Sequence, residues 1–237
     1  MISKKQPSVG WSVWLQWFTT SIIGGLVGIA LMAETPPFLV GYFGSGGDPT
    51  IIEMGYSQAW AVILGATLGG AAIGSLQWLI LRRQITNIHW WGVASMAGFA
   101  LGFILVWAVS GARSGSAYHH TIPHAVDRAG IVGGAVIGAV MGSVQWLILR
   151  WRCSRAGWWV VANSVGFAAG WAGAAAMPVT GVAAHFVGGA TFGILFGAVT
   201  GAALVWLLRH PAHSPSGESQ NPAENTHLRQ QPGRSRS

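Results

Sequence analysis

Charged side chains are scarce in this chain. Only 8% of its 237 residues are Asp, Glu, Lys or Arg, whereas 51% are hydrophobic and 14 are tryptophan. Soluble globular domains carry about 25% charged residues. The composition therefore excludes an ordinary soluble domain and indicates a protein whose solvent is the lipid bilayer.

Cysteine and catalytic motifs are also lacking. The single cysteine, Cys153, can form no internal disulfide, and nothing near it in the sequence supplies a catalytic partner. The chain has no nucleotide-binding loop, no nucleophile–base pair and no pair of acids within an apolar run. We therefore expect neither an enzyme nor a bound cofactor.

Long apolar runs are what the chain has in abundance. Six of them contain no charged residue and are long enough to cross a hydrocarbon core of about 30 Å. They predict an all-α membrane protein with a six-helix domain at residues 11–209, between a cytoplasmic N-terminus (1–10) and a polar tail (210–237) predicted to be disordered. The runs are Trp11–Ala33, Ser57–Leu81, Trp90–Val109, Gly130–Leu149, Trp158–Met177 and Val182–Leu208.

The placement of the basic residues predicts the orientation. A net charge of +7 and a pI near 10.8 could suggest nucleic acid, but eleven of the thirteen basic residues fall on one side of the predicted spans. By the positive-inside rule that side, with both termini, is cytoplasmic, in a cell (inner) membrane, and we expect no nucleic-acid partner. A cleaved signal peptide is the alternative for the first run, but its apolar core is longer than the usual 7 to 15 residues.

Two motifs recur along the chain. Gly-x3-Gly-x2-Gln-Trp-Leu-Ile-Leu-Arg starts at Gly70 and again at Gly138, and the sixth run carries a decayed copy without glutamine. Trp-x6-Gly-x3-Gly starts at Trp17, Trp91 and Trp159, in the first, third and fifth runs. The sequence therefore predicts three tandem helical hairpins, 11–83, 90–152 and 158–209, which all start on the same side and so are parallel repeats.

The glycine spacing predicts how these helices pack. Residues four apart share one helical face, and glycine there lets a neighbouring backbone approach closely, as in a glycine zipper. Because glycine is a poor helix former in water, its regular use indicates faces packed against protein. The predicted packing residues are Gly70, Gly74, Gly98, Gly102, Gly134, Gly138, Gly142, Gly166, Gly170, Gly193, Gly197 and Gly201.

Gln77, Gln145 and Asn163 are polar side chains within the apolar runs, as are Thr191 and Thr200. The amides could bond across helices or line a solute path. We favour bonding between helices, because a path usually also needs an ionisable group at depth. The sequence also predicts a belt of tryptophans anchored at the cytoplasmic interface: Trp78, Trp90, Trp91, Trp146, Trp151, Trp158, Trp159 and Trp206.

One cluster has the composition of a metal site. His120, His124 and Asp127 in the second outer loop are spaced i, i+4 and i+7, and could hold zinc or copper if that stretch were helical. Pro123 weakens such a helix, and His185 could join the set. The alternative is that these histidines are solvated or bond to lipid headgroups.

The repeated Gln-Trp-Leu-x-Leu-Arg ending, with Trp-Trp at Trp90 and Trp158 opening the next hairpin, resembles a group of bacterial multi-pass membrane proteins without an established activity. The resemblance covers about Trp11 to Arg209, and the third hairpin departs from it by lacking the glutamine. We expect a non-catalytic membrane subunit or scaffold whose partners are the lipid bilayer and other membrane proteins. The alternative is a transporter or channel for a small neutral or weakly polar solute, which would need a continuous wet path.

Overall fold

The computed structural model describes residues 10–43, 51–85, 88–111, 128–179 and 182–211. Six α-helices account for most of them, and no β-strand occurs in these ranges beyond an isolated bridge between Cys153 and Pro211. The helices are α1 (Trp11–Phe43), α2 (Ile51–Leu81), α3 (Trp91–Gly111), α4 (Arg128–Leu149), α5 (Trp158–Ala175) and α6 (Val182–Leu208).

Five of the six helices are long and apolar enough to cross a membrane, and α5 is the exception. Its 18 residues include Asn163, Ser164 and three tryptophans, and nine of the remaining thirteen are glycine or alanine. The prediction of six helices is confirmed, and five of them have the length and apolarity of a membrane span.

The first two helices extend beyond their predicted ends. α1 continues past Ala33, through Pro36 and Pro37, to Phe43, and α2 begins at Ile51, before Ser57. The fixed φ of proline, about −65°, is itself helical, and its missing N–H is tolerated in membrane helices.

The helices form a closed ring. Each helix packs against its neighbours in the chain, and α6 packs back against α1. The segments 82–85, 88–90 and 150–157 lie at one end of the ring with the start of α1 and the finish of α6, since Val13, Ile85, Cys153 and Leu207 belong to one buried cluster. We call this the basic end, because it carries Arg82, Arg83, Arg150, Arg152, Arg155 and Arg209.

Glycines lie where the neighbouring helices approach each other. A Cβ at Gly74 would lie 2.5 Å from Cβ of Ser95 on α3, and one at Gly98 would lie 2.7 Å from Cα of Met141 on α4. For each of the twelve glycines named above, a Cβ would meet an atom of a neighbouring helix at 3.1 Å or less. At nine of the twelve the distance is under 3.0 Å, which real Cβ atoms essentially never show, so a side chain there would require neighbouring atoms to shift.

Two clusters of buried side chains fill the interior. The basic-end cluster consists of Val13, Trp17, Ile80, Leu81, Ile85, Ile88, Trp91, Leu149, Cys153, Ala156, Trp159, Leu204 and Leu207. The aromatic cluster lies further from the basic end and consists of Ala66, Ile73, Phe99, Ile137, Met141, Phe167, Phe192 and Phe196. Between them lies the group of polar side chains that forms the candidate site.

Candidate functional site

Three tryptophans meet inside the ring. Trp17, Trp91 and Trp159, from α1, α3 and α5, have no exposed surface. Their ring centroids are 6.4 Å apart for Trp17 and Trp91, and 5.7 Å apart for each of the other two pairs. The edge-to-face and tilted geometries are the favourable ones for aromatic pairs, so the three indoles close the centre of the ring as one packed unit.

Each of these indoles donates its Nε1–H to a buried side chain on the preceding helix of the ring. The acceptors are Oε1 of Gln77 for Trp91 (3.2 Å), Oε1 of Gln145 for Trp159 (2.8 Å) and Oγ1 of Thr200 for Trp17 (3.0 Å).

The three acceptors have the same local context. Gln77, Gln145 and Thr200 each stand three residues after a glycine, namely Gly74, Gly142 and Gly197. In the decayed copy of the motif, Thr200 thus occupies the position that glutamine occupies in the other two copies. The three bonds join α2 to α3, α4 to α5 and α6 to α1.

A second layer of polar side chains lies one helical turn further from the basic end. Ser21 and Ser95 donate their hydroxyls to the carbonyls of Trp17 and Trp91, at 2.8 and 2.9 Å, and Nδ2 of Asn163 donates to the carbonyl of Trp159 at 2.8 Å. We call the two layers together the polar ring: Trp17, Ser21, Gln77, Trp91, Ser95, Gln145, Trp159, Asn163 and Thr200.

One side of the polar ring is fully bonded. Gln145 accepts from Trp159 and donates its Nε2–H to Oγ of Ser95 at 2.9 Å, so it links α5 to α3 through α4. The hydroxyl of Ser95 in turn donates to the carbonyl of Trp91. Buried hydrogen bonds of this kind polarise one another and fix the relative rotation of the helices that they join.

The other side of the polar ring is incomplete. Nε2 of Gln77 and Oδ1 of Asn163 are buried and have no hydrogen-bond partner. Ser21 holds in α1 the position that Ser95 holds in α3, yet Gln77 makes no bond to it. Each unpartnered buried polar group costs about 1 to 3 kcal/mol. No member of the ring ionises near neutral pH, so the site can donate and accept hydrogen bonds but cannot carry a charge.

The polar side chains predicted from the sequence therefore converge. Gln77, Gln145 and Asn163 are at most 1% exposed and all belong to the polar ring. The tryptophan belt needs a correction: Trp91 and Trp159 lie at the centre, whereas Trp90, Trp151 and Trp158 are exposed. The missed signal was the spacing Trp-x6-Gly, because a residue seven before a packed glycine lies on the same buried face.

An apolar cavity lies beyond the polar ring. Its volume is about 30 Å³, and its walls come from five of the six helices. α1 and α2 carry Gly25 and Gly69 here, whereas the aromatic cluster has Phe99 and Phe167 from α3 and α5. The walls of the cavity are glycine, alanine, isoleucine, phenylalanine and tryptophan, so its surface is apolar. One of the wall residues, Trp171, has a buried indole N–H that makes no hydrogen bond.

Arginines at the basic end stack on tryptophans. The guanidinium carbon of Arg82 lies 4.9 Å from the ring centroid of Trp78, that of Arg150 lies 4.7 Å from Trp151, and that of Arg155 lies 5.6 Å from Trp206. Such contacts are cation–π interactions of about 0.5 to 1 kcal/mol each at exposed sites.

The cysteine lies in the basic-end cluster. Cys153 is buried, and desolvation raises the pKa of its thiol above the ordinary value of 9.0. The neighbouring Ser154 donates its backbone N–H (3.3 Å) and its hydroxyl (3.2 Å) to the carbonyl of His210. These bonds hold the chain after α6 against the α4–α5 loop, and the neutral thiol is an unreactive packing group.

The candidate metal ligands lie in another part of the chain. His120, His124 and Asp127 fall outside the described residues, so the prediction of a zinc or copper site stays a prediction. His185 lies within α6. Among the described residues there is no group of three side chains that could hold a metal ion.

Comparison of the chain with protein-family models, with curated proteins and with solved structures found no match.

Proposed function

We propose that the protein is a non-catalytic scaffold or accessory subunit of a bacterial inner membrane, with membrane proteins and lipid as its partners. The observation that supports this proposal most is the centre of the ring. Three buried indoles, held by Gln77, Gln145 and Thr200, lie between two apolar clusters. A rigid, filled centre suits a protein that holds others in place and does not pass a solute.

Within this proposal the six helices are three tandem hairpins of a parallel repeat. Three sets of equivalent residues support it, because each set has one member per hairpin and its members lie at the same depth. The sets are Trp17, Trp91 and Trp159; Ser21, Ser95 and Asn163; and Gln77, Gln145 and Thr200. All six helices, including the less apolar α5, would then cross the membrane, since α5 packs between α4 and α6.

Glycine-zipper packing is the second part of the proposal. Each of the twelve glycines predicted from the sequence lies against the following helix of the ring. A Cβ at Gly142 on α4 would lie 2.9 Å from Cα of Val160 on α5, and one at Gly170 on α5 would lie 2.6 Å from Cδ2 of Phe192 on α6. Close backbone approach supplies the van der Waals contact that replaces the hydrophobic effect inside a bilayer.

The proposed orientation places the basic end in the cytoplasm. Arginines and exposed tryptophans such as Trp90, Trp151 and Trp158 share this end, as they do at cytoplasmic membrane interfaces. A reporter fused after residue 237 tests the orientation: a cytoplasmic reporter should be active there, and activity of a reporter that works only outside the membrane would contradict it.

A transporter for a small neutral solute remains the second candidate. The unpartnered Nε2 of Gln77 and Oδ1 of Asn163 favour it, because a passing polar molecule could bond to both. A path would require the three indoles to separate, since they leave the centre closed.

One experiment separates the two functions. The tagged protein is purified from its native membrane in mild detergent, its partners are identified by mass spectrometry, and the protein is then placed in liposomes for glycerol and urea flux. We expect a stoichiometric membrane-protein partner and flux equal to that of protein-free liposomes. Flux that falls in a Gln77→Leu variant, with no partner retained, would contradict the scaffold function.

A further inference from the structure

A surface depression lies at the basic end where α5 begins. Arg155, Gly157, Trp158 and Val161 line it, and its volume is about 400 Å³. Arg155 stands at its edge, with its guanidinium over the ring of Trp206 at the end of α6. The depression is therefore formed by the α4–α5 loop and the first turn of α5.

Neither backbone conformation nor packing explains the glycine in this depression. Gly157 has φ −59° and ψ −28°, a right-handed helical conformation that any residue adopts. No atom lies within 4 Å of the position that its Cβ would take, unlike the glycines between the helices. A larger side chain at position 157 would therefore clash with no other residue but would occupy part of the depression. The glycine keeps the depression open.

Acidic residues are scarce in the part of the sequence that forms the depression. Between Glu53 and Glu218 the sequence contains one acidic residue, Asp127. Among the described residues from 54 to 211 there is thus no carboxylate side chain for Arg155 to pair with. An anion from outside the chain would neutralise Arg155, and a guanidinium binds phosphate through paired N–H bonds.

The face of α5 below the depression is apolar. Trp158, Val161 and Val165 are spaced i, i+3 and i+7, so they share one helical face, and they are 57%, 47% and 52% exposed. This face runs along α5 from the depression at the basic end towards the middle of the helix. An occupant must therefore combine an anionic head with a hydrocarbon tail.

We propose that the depression binds an anionic phospholipid, with its phosphate on Arg155 beside Gly157 and Trp158 and one acyl chain along Val161 and Val165. The site is independent of the proposed function, since a scaffold and a transporter would both carry it. It also needs no assumption about which side of the membrane the basic end faces.

The test measures lipid retained on the purified full-length protein by native mass spectrometry. The protein is exchanged into detergent that contains phosphatidylglycerol or phosphatidylcholine. We expect wild type to retain phosphatidylglycerol in preference to phosphatidylcholine. Arg155→Gln should lower its occupancy about tenfold, which corresponds to the loss of one charge-assisted hydrogen bond. Gly157→Leu should lower it as much, because the leucine occupies the depression.

Two matched variants serve as controls. Arg83→Gln removes an equally exposed arginine of the basic end outside the depression, and Gly133→Leu adds the same side chain on α4, where a Cβ would lie 3.5 Å from Val106. Both should retain the lipid. If Arg83→Gln lost as much phosphatidylglycerol as Arg155→Gln, the loss would come from net charge and the proposed site would be wrong. The proposal would also be overturned if either Arg155→Gln or Gly157→Leu retained the lipid as wild type does.

An excess of inorganic phosphate should leave the lipid bound, since it lacks the acyl chain. If inorganic phosphate displaced the lipid completely, the depression would be a site for free anions, and the proposal of a phospholipid site would be overturned. If one depression variant yields no folded protein, the other decides the outcome.

Discussion

Gly138→Ala tests the packing of the ring most sharply. A Cβ at Gly138 would collide with the carbonyl oxygen of Asn163 and lie 2.9 Å from Cβ of Phe167. The first neighbour is backbone of α5 and cannot turn away, so α4 and α5 must separate. Overpacking of this kind costs about 1 to 3 kcal/mol. It also disturbs the helix turn that carries Asn163 in the polar ring.

The size of the effect follows from two opposing terms. Replacing a glycine by alanine in a helix gains up to about 1 kcal/mol. The net destabilisation should therefore be about 1 to 2 kcal/mol, which lowers the melting temperature by roughly 2 to 8 °C for a chain of this length.

Gly133→Ala is the matched control, on the same helix as Gly138. Its Cβ would lie 3.5 Å from Cγ1 of Val106, an ordinary contact, so this variant should melt at or above the wild-type temperature. The assay is thermal unfolding of the detergent-solubilised protein, followed by size-exclusion chromatography of what remains. A Gly138→Ala protein that melts with wild type or above it would refute the packing argument.

Three further predictions concern buried groups. Trp159→Phe should lower the melting temperature because it leaves Oε1 of Gln145 buried with one bond fewer, at about 1 to 3 kcal/mol, whereas the exposed Trp158→Phe should not. Gln145→Leu should cost more stability than Gln77→Leu, because the Gln145 amide makes hydrogen bonds to two side chains and the Gln77 amide to one; equal losses would contradict this. Cys153 should resist maleimide in the folded protein near pH 7 and react after denaturation. Because burial raises its pKa, the unfolded thiol ionises first, so its contribution to stability should be present below pH 9.0 and fall above it; unchanged stability through that range would contradict this.

The helical composition and the polar residues could be predicted from the sequence. Apolar runs fix helices in a membrane because every backbone group must bond within its own segment. The same argument predicts that a polar side chain such as Gln145, in such a run, faces other helices and not lipid. The sequence does not identify the hydrogen-bond partners of Gln145, because Trp159 and Ser95 become its neighbours only when the helices pack into the ring.

The tryptophans show where local reasoning fails. Trp90 and Trp91 are adjacent and equally close to the arginines, so composition alone assigns both to the membrane interface. They differ by about 100° around the helix, and only Trp91 shares the face of Gly98. The exposed Trp90 fits the expected belt, and the buried Trp91 does not.

The equivalence of Thr200 with two glutamines was hidden for another reason. In α6, Trp206 and Arg209 lie about one helical turn further from the glycines than the corresponding tryptophan and arginine of the other two copies. An alignment on the Trp and Arg residues therefore places the polar position wrongly. Matching the glycines places it correctly. The tertiary contact, Thr200 with the indole of Trp17, is what distinguishes the two alignments.

A measurement of water access to the polar ring tests whether the centre of the protein is sealed, as the scaffold function requires. In a Cys153→Ser background, Ser95→Cys places a thiol inside the ring, and Ser154→Cys places one at the exposed surface of the basic end. A small water-soluble thiol reagent is then applied to open membranes. We expect the cysteine at position 154 to react in the native membrane, and the cysteine at position 95 to react only after denaturation in SDS. Comparable reaction at both positions in the native membrane would mean that water reaches the centre of the ring, and would contradict the sealed scaffold.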